Sequence, residues 1–360
     1  MNGDFLRRLG IIFRLLPPES MPSTSKAPER ASARRVGAWI VSALPFLIIG
    51  GLLYASLFVK PKPVGASVKP PAIERRDKFF GVAVPEPGMV WAVGDSGKIV
   101  ASSDGGRSFH IQHTPVTAHL QAIAAWDARR AVVVGNQGVV LLTADGGQSW
   151  VEIKAPQSAV ANKLMRARIA DDAVWAVGEM GAVLRSVDHG KTWERMRGEE
   201  DVAWNDIAFV GSAGWIVGEF GRILRSSDGG VTWSSVPSPV KTSLTGVAFH
   251  DEVRGVAVGL EGVMLVTGDG GQHWKQAVGV TREHLFAVTW DGLGWVAVGD
   301  KGVLVSGDAG GASWKAERFS DRNTAWYTDV VQRDDRLFFA GAGLAVRQQG
   351  KFHPLGGAPQ

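Results

Sequence analysis

The side chains in this sequence best spaced to do chemistry are aspartates that recur with fixed neighbours. They read Ser102-x-Asp104-x-Gly106-x-x-Phe109, Thr143-x-Asp145-x-Gly147-x-x-Trp150, Ser186-x-Asp188-x-Gly190-x-x-Trp193, Ser226-x-Asp228-x-Gly230-x-x-Trp233 and Thr267-x-Asp269-x-Gly271-x-x-Trp274. A carboxylate can act as a general acid, a nucleophile or a cation ligand, but these neighbours point to a structural job. An Asp side chain accepts hydrogen bonds from backbone N–H groups in a turn, and the glycine supplies a positive φ there. The aromatic three residues later then starts the next strand and buries its ring between neighbouring units. A catalytic role does not explain five near-identical copies. The Asp-Gly-Gly runs also lack the ligand series of a calcium loop, and the glycines lack a Walker lysine pattern.

Other reactive groups are sparse. The absence of cysteine excludes disulfides, thiol nucleophiles, thiolate metal sites and a lipoprotein cysteine. No Gly-x-Ser-x-Gly elbow occurs. The pair His110-x-x-His113 has no third ligand near it in sequence and reads as a surface pair. The expectation is a protein that is not an enzyme and needs no cofactor or metal.

The aspartate motifs are positioned by a longer repeat. Glycines opening a Gly-x-x-Gly pattern stand at Gly94, Gly135, Gly178, Gly218, Gly259 and Gly299, and a related Gly341-Ala-Gly343 follows, at steps of 41, 43, 40, 41, 40 and 42 residues. Periods near 40 point to propellers or solenoids. In the fourth unit WNDIAFV, GWIVGEF, GRILRSS and GVTWSSV read as four short strands between turn residues, which is one propeller blade. No amphipathic helix separates the repeats, which disfavours helical solenoids. The fold expected over residues 78–356 is therefore all-β, a seven-bladed β-propeller with four-stranded blades and the aspartate motif between the third and fourth strands. The sixth unit keeps Gly310, Gly311 and Trp314 but has Ala309 at the aspartate position and Asp308 displaced by one, and the seventh has lost the motif.

These are Asp-box (BNR) repeats. Together with the preceding segments from Trp175 to Arg185 and from Trp215 to Arg225, they resemble the photosystem II stability and assembly factor-like family over about residues 79–355. The resemblance implies an extracytoplasmic seven-bladed propeller that helps assemble membrane-protein complexes without catalysis. The sequence departs from the photosynthetic members in carrying an apolar N-terminal run and no lipoprotein cysteine, as a non-photosynthetic relative would. Asp boxes also occur in sialidases, whose pattern includes an arginine triad, a Tyr nucleophile activated by Glu, and an Arg-Ile-Pro segment. This chain has two tyrosines, Tyr54 in the apolar run and Tyr327 at a first-strand core position matched by Leu120 and Leu244, and it has no Arg-Ile-Pro. A sialidase-like glycosidase is a remote alternative.

In a propeller the loops between strands two and three and those linking blades emerge on one face. The first set offers Asp95, Glu179, Glu219, Glu261 and Asp300 as an acidic rim; the second carries basic residues, including Lys241, Arg282, Arg318 and Arg322. The densest basic stretch runs from Lys163 to Arg168, with Arg168 aligned to Ala122 and Gly246. Arg166, Arg168, Arg195 and Arg197 are the candidate partner-binding residues, since an arginine at a channel mouth pairs with an acidic or phosphate-bearing partner. The alternative is that they pair with Asp206 and Asp329 on neighbouring inner strands.

Residues 1–78 hold 13 Lys/Arg against 5 Asp/Glu, and the remainder 26 against 30, so the basicity sits outside the propeller and nucleic acid is not expected as a partner. Residues 36–59 contain no charge and are long enough for a transmembrane helix, which needs roughly 20 residues. Residues 1–35 form a basic tail, with 5–16 read either as an amphipathic helix on the membrane or as a disordered segment, and 60–77 is a Pro-rich linker. The expected protein is a single-pass inner-membrane scaffold with its propeller on the periplasmic or lumenal side, contacting lipid through the anchor and an integral membrane protein or complex through the propeller. A ligand-binding accessory subunit of an envelope transporter is the alternative.

Overall fold

The computed structural model describes residues 32–59, 70–320 and 323–356. The tail before residue 32, most of the linker, and Arg322 lie outside the described residues. The chain divides into two units, Met1–Val68 and Lys69–Gln360.

In the first unit the apolar run folds as a helix, Ser32–Phe58, which includes Pro45. Among the described residues no helix is long and apolar enough to cross a membrane. The described side chains of this helix begin at Ala43. From there it is apolar on every side, with Phe46, Leu47, Leu52, Tyr54 and Leu57 all more than 60% exposed.

The second unit is a ring of seven four-stranded antiparallel sheets, each made of four consecutive strands in sequence order. The blades span residues 79–112, 120–152, 164–195, 204–236, 244–276, 285–318 and 327–354. The first strands of successive blades touch one another, and that of blade 7 returns to blade 1. The core lies between blades. Each of seven apolar clusters draws residues from two neighbouring blades. The Asp-box aromatics pack there as expected: Trp150 of blade 2 meets Trp91 of blade 1 edge to face at 6.5 Å, and Trp233 of blade 4 meets Trp175 of blade 3 at 6.1 Å.

The Asp boxes connect strands three and four, and their bonding explains every fixed residue. In blade 2, Asp145 accepts from the backbone N–H and the hydroxyl of Ser149. The Thr143 hydroxyl donates to the same carboxylate while accepting from the Gly147 N–H, and Gly147 has φ +79°. The opening Ser or Thr is thus part of the lock. In blade 6 the displaced Asp308 still accepts from two backbone N–H groups, those of Ala312 and Ser313, both at 2.9 Å. Blade 7 uses a two-residue hairpin, Gln349-Gly350, with both residues at positive φ.

Among the described residues every blade is built from consecutive strands, so no strand exchange closes the ring. The seam between blades 7 and 1 is instead held by a cluster that includes Phe79, Val82, Phe338 and Val346, flanked by Ile73 and Leu355 from the two ends of the propeller segment. Two polar contacts cross it: Val82 N–H to Asp329 Oδ2 at 3.0 Å, and Thr328 Oγ1 to the Phe80 carbonyl at 3.2 Å.

Candidate functional site

In all seven blades the pairing of the first strand with the second slips at the same place. Leu120 faces Gly135 and Ala122 faces Val134, which leaves Gln121 as an extra residue. The corresponding bulged residues are Phe80, Met165, Asn205, Thr245, Phe286 and Thr328. A bulge redirects the side chain it inserts. All seven of these side chains line one cavity of about 400 Å³ at the mouth of the central channel, together with His119, Asn136, Lys163 and Arg166.

Several polar members of this ring are committed to their neighbours. Asn205 Nδ2 donates to the Leu244 carbonyl at 2.7 Å, Thr245 Oγ1 to the Leu285 carbonyl at 2.6 Å, and Gln121 Nε2 to Asn136 Oδ1 at 3.0 Å. The first two bonds stitch neighbouring blades together, and the third ties Gln121 to its own blade. The apolar members are Phe80, stacked on Trp326 at 5.8 Å, with Met165 and Phe286.

The cavity floor is ionic. One position past each bulge stand Gly81, Ala122, Arg166, Asp206, Gly246, Ala287 and Asp329. Four of these are small; a Cβ on Gly81 would lie 2.9 Å from the Ala122 Cα, and one on Gly246 3.1 Å from the Ala287 Cα. The other three fill the channel. Arg166 Nε is 3.3 Å from Asp206 Oδ1 and its Nη1 is 3.0 Å from Asp329 Oδ1, with all three side chains at least 93% buried. Each aspartate also accepts a backbone N–H from the next blade, Asp206 from Val247 and Asp329 from Val82. Burial pushes the Arg166 guanidinium toward its neutral form, but the attraction of Asp329 and Asp206 outweighs it and raises its pKa.

This placement settles the arrangement of the basic stretch. The residue level with Ala122 and Gly246 is Arg166, which faces Val177 as they face Val134 and Val258, so the sequence alignment that put Arg168 there is corrected by one ring. Arg168 lies two residues further from the mouth, a third exposed and 3.6 Å from Asp206. Arg195 and Arg197 do not reach the cavity. Arg195 donates to the Met180 and Arg197 carbonyls, and Arg197 donates to the Trp233 carbonyl of blade 4. The structure thus brings Arg166 and Arg168 together with Asp206, and leaves Arg195 and Arg197 on the outer part of blade 3.

At the rim, Glu179 and Glu219 of the expected acidic set accept the backbone N–H of Lys163 and Ala203, each at 2.8 Å. Lys163 itself lines the cavity, and its ammonium forms no ion pair among the described residues. The five box aspartates, Asp104, Asp145, Asp188, Asp228 and Asp269, each occupy a hairpin of a different blade and converge on no common site. The hydroxyls of Ser149, Thr192 and Thr232, followed by the backbone N–H groups of the same residues, hold Asp145, Asp188 and Asp228 at a pKa of about 2. Among the described residues, no group of three or more His, Asp or Glu could hold a metal ion.

The seven bulged residues were missed at the sequence level. Their only trace is a slip in the alternation of each first strand, one residue after its buried first position, which period-2 reading does not register.

The sequence profile of the family described as Photosynthesis system II assembly factor YCF48 matches residues 110–202 and 232–324, together just over half of the chain. No curated protein matches the sequence. In fold, the chain is similar to a structure of YCF48 bound to D1 peptide, with a TM-score of 0.65 and 16% identity, covering 80% of this chain and 99% of that one. It is similar to YCF48 from Cyanidioschyzon merolae, with a TM-score of 0.63 and 15% identity over 76% of this chain and 96% of that one. The WD40 β-propeller domain of Doa1 superposes with a TM-score of 0.59 at 10% identity, over 77% and 92% of the two chains. At these identities the structural likeness speaks for the propeller fold.

Proposed function

This chain belongs to the family of the photosynthesis system II assembly factor YCF48, and from that premise we propose that it is a non-enzymatic, membrane-anchored assembly factor that binds a segment of an integral membrane protein at its channel mouth. The observation that carries this reading is the ring of seven bulges. Each blade gives up one regular pairing at the same point to turn a side chain into one cavity. Stability alone does not call for that in every blade.

Two further facts support it. A propeller of this family was solved with a D1 peptide bound, so that relative accepts a peptide. In this chain the segment arriving from the apolar helix joins the propeller on the mouth side, where the Lys78 carbonyl accepts the Asp95 N–H and Asp77 pairs with Lys98. With the uncharged run 36–59 as anchor, the propeller would sit at the periplasmic or lumenal surface of the inner membrane. Arg195 and Arg197, on the outer part of blade 3, extend the binding surface toward acidic groups.

The reading is tested with the full chain. Alkaline carbonate should leave it in the membrane fraction, and deletion of residues 36–59 should release it. External protease should digest the propeller in spheroplasts and spare it in intact cells. Purification from detergent-solubilised native membranes should recover an integral membrane protein, and combined reversal of Lys163, Arg195 and Arg197 to Glu should deplete it. A protein extracted by carbonate, or one that brings down no integral membrane protein, would contradict the proposal.

A further inference from the structure

We infer that the channel mouth holds one apolar side chain of an extended peptide, with a carboxylate on the adjacent residue meeting Lys163; this rests on the reading above. Three observations converge on that chemistry. First, Asn205, Thr245 and Thr328 donate to neighbouring blades and Gln121 donates to Asn136 of its own blade, so the surface left for an occupant is chiefly Phe80, Met165 and Phe286.

Second, the cavity is blind. Arg166, Asp206 and Asp329 close the channel directly beneath the bulges, so whatever enters must leave by the same opening. A volume of about 400 Å³ is at the small end of ligand pockets. It suits a side chain on a loop tip or chain end, not a strand threaded through the ring.

Third, the charges are unequal in what they can still do. Arg166 is neutralised by two aspartates it cannot leave without stranding buried charge. Lys163 lines the rim with its ammonium unpaired among the described residues. An apolar side chain in the cavity places the next residue of its peptide at that rim, where a carboxylate is favoured and a cation is not.

The test uses the full chain in detergent micelles with carbon-13 methyl-labelled methionine, since Met165 lines the cavity. The probes are three blocked Gly/Ser octapeptides carrying Phe-Asp, Ala-Asp or Phe-Lys at the centre. The Phe-Asp peptide should shift the Met165 signal saturably, and the other two should bind roughly tenfold more weakly. Phe286→Ala should weaken the Phe-Asp peptide by a similar factor while the other methionine signals keep their positions, which shows that the fold is intact. Lys163→Glu should reverse the preference between Phe-Asp and Phe-Lys. A Met165 signal unmoved by all three peptides, or one that answers Phe-Asp and Ala-Asp alike, or one indifferent to the neighbouring charge, would overturn the inference. If a membrane protein still copurifies with the chain in that case, the assembly-factor reading stands and only this assignment of the mouth falls.

Discussion

Asp188 shows how much one half-buried carboxylate can organise. It accepts from the Ser186 hydroxyl at 2.8 Å, the Lys191 and Thr192 N–H groups at 3.0 and 2.9 Å, and the Thr192 hydroxyl at 2.7 Å. These donors lower its pKa from 3.8 to about 2. A carboxyl whose folded pKa is depressed adds stability that is complete above its unfolded value and is lost as pH falls through the folded one. The boxes should therefore contribute fully above about pH 4 and progressively less toward pH 2. Thermal midpoints measured from pH 5 to pH 2 should fall through that window, and Asp188→Asn should flatten part of the fall. Asp188→Ala at neutral pH should cost about 1 kcal/mol, the solvent-screened value of a lost charge-assisted acceptor; an unchanged unfolding midpoint in chemical denaturation would refute the lock. At this scale the sequence was informative because repetition separates a structural aspartate from a catalytic one. It was less so for Asp308, which reads in sequence as displaced by one and in the structure still accepts two backbone N–H groups.

The strand is the scale at which sequence and structure diverge. Alternation has a period of two, so one inserted residue moves everything after it to the other face. Seven coincident bulges make that slip in every first strand, which turns the bulged residues to the mouth; separately, Arg168 was aligned with Ala122 and Gly246, whereas the residue level with them is Arg166, two positions earlier. The pairing of these arginines with Asp206 and Asp329 was weighed from sequence as an alternative, and for Arg166 it is what the strands build. Breaking a buried ionic group by removing one partner is costly, about 3–5 kcal/mol, because the rest is left uncompensated. Arg166→Met should lose stability on that scale in chemical denaturation. Adding Asp206→Asn and Asp329→Asn should recover part of it, since no buried charge then remains; a triple variant weaker than Arg166→Met by more than the loss of two acceptor contacts would show that the three residues do not act as one ionic unit.

For the whole molecule, the blade count was legible because a step of 40 to 43 residues repeats, and each step is one sheet. The role was less legible. A binding surface on a propeller is made of one residue per blade, about 40 positions apart, so no local motif announces it. Phe80, Met165 and Phe286 look in sequence like ordinary strand residues, and only ring closure turns them toward one another. The proposed binding of a partner at that face is tested most directly by site-specific photo-crosslinking in native membranes. A photoreactive residue at position 163, on the mouth rim, should capture an integral membrane protein that one at position 231, in the blade 4 Asp-box loop, does not. Capture of the same proteins from both positions, or of no integral membrane protein from position 163, would contradict it.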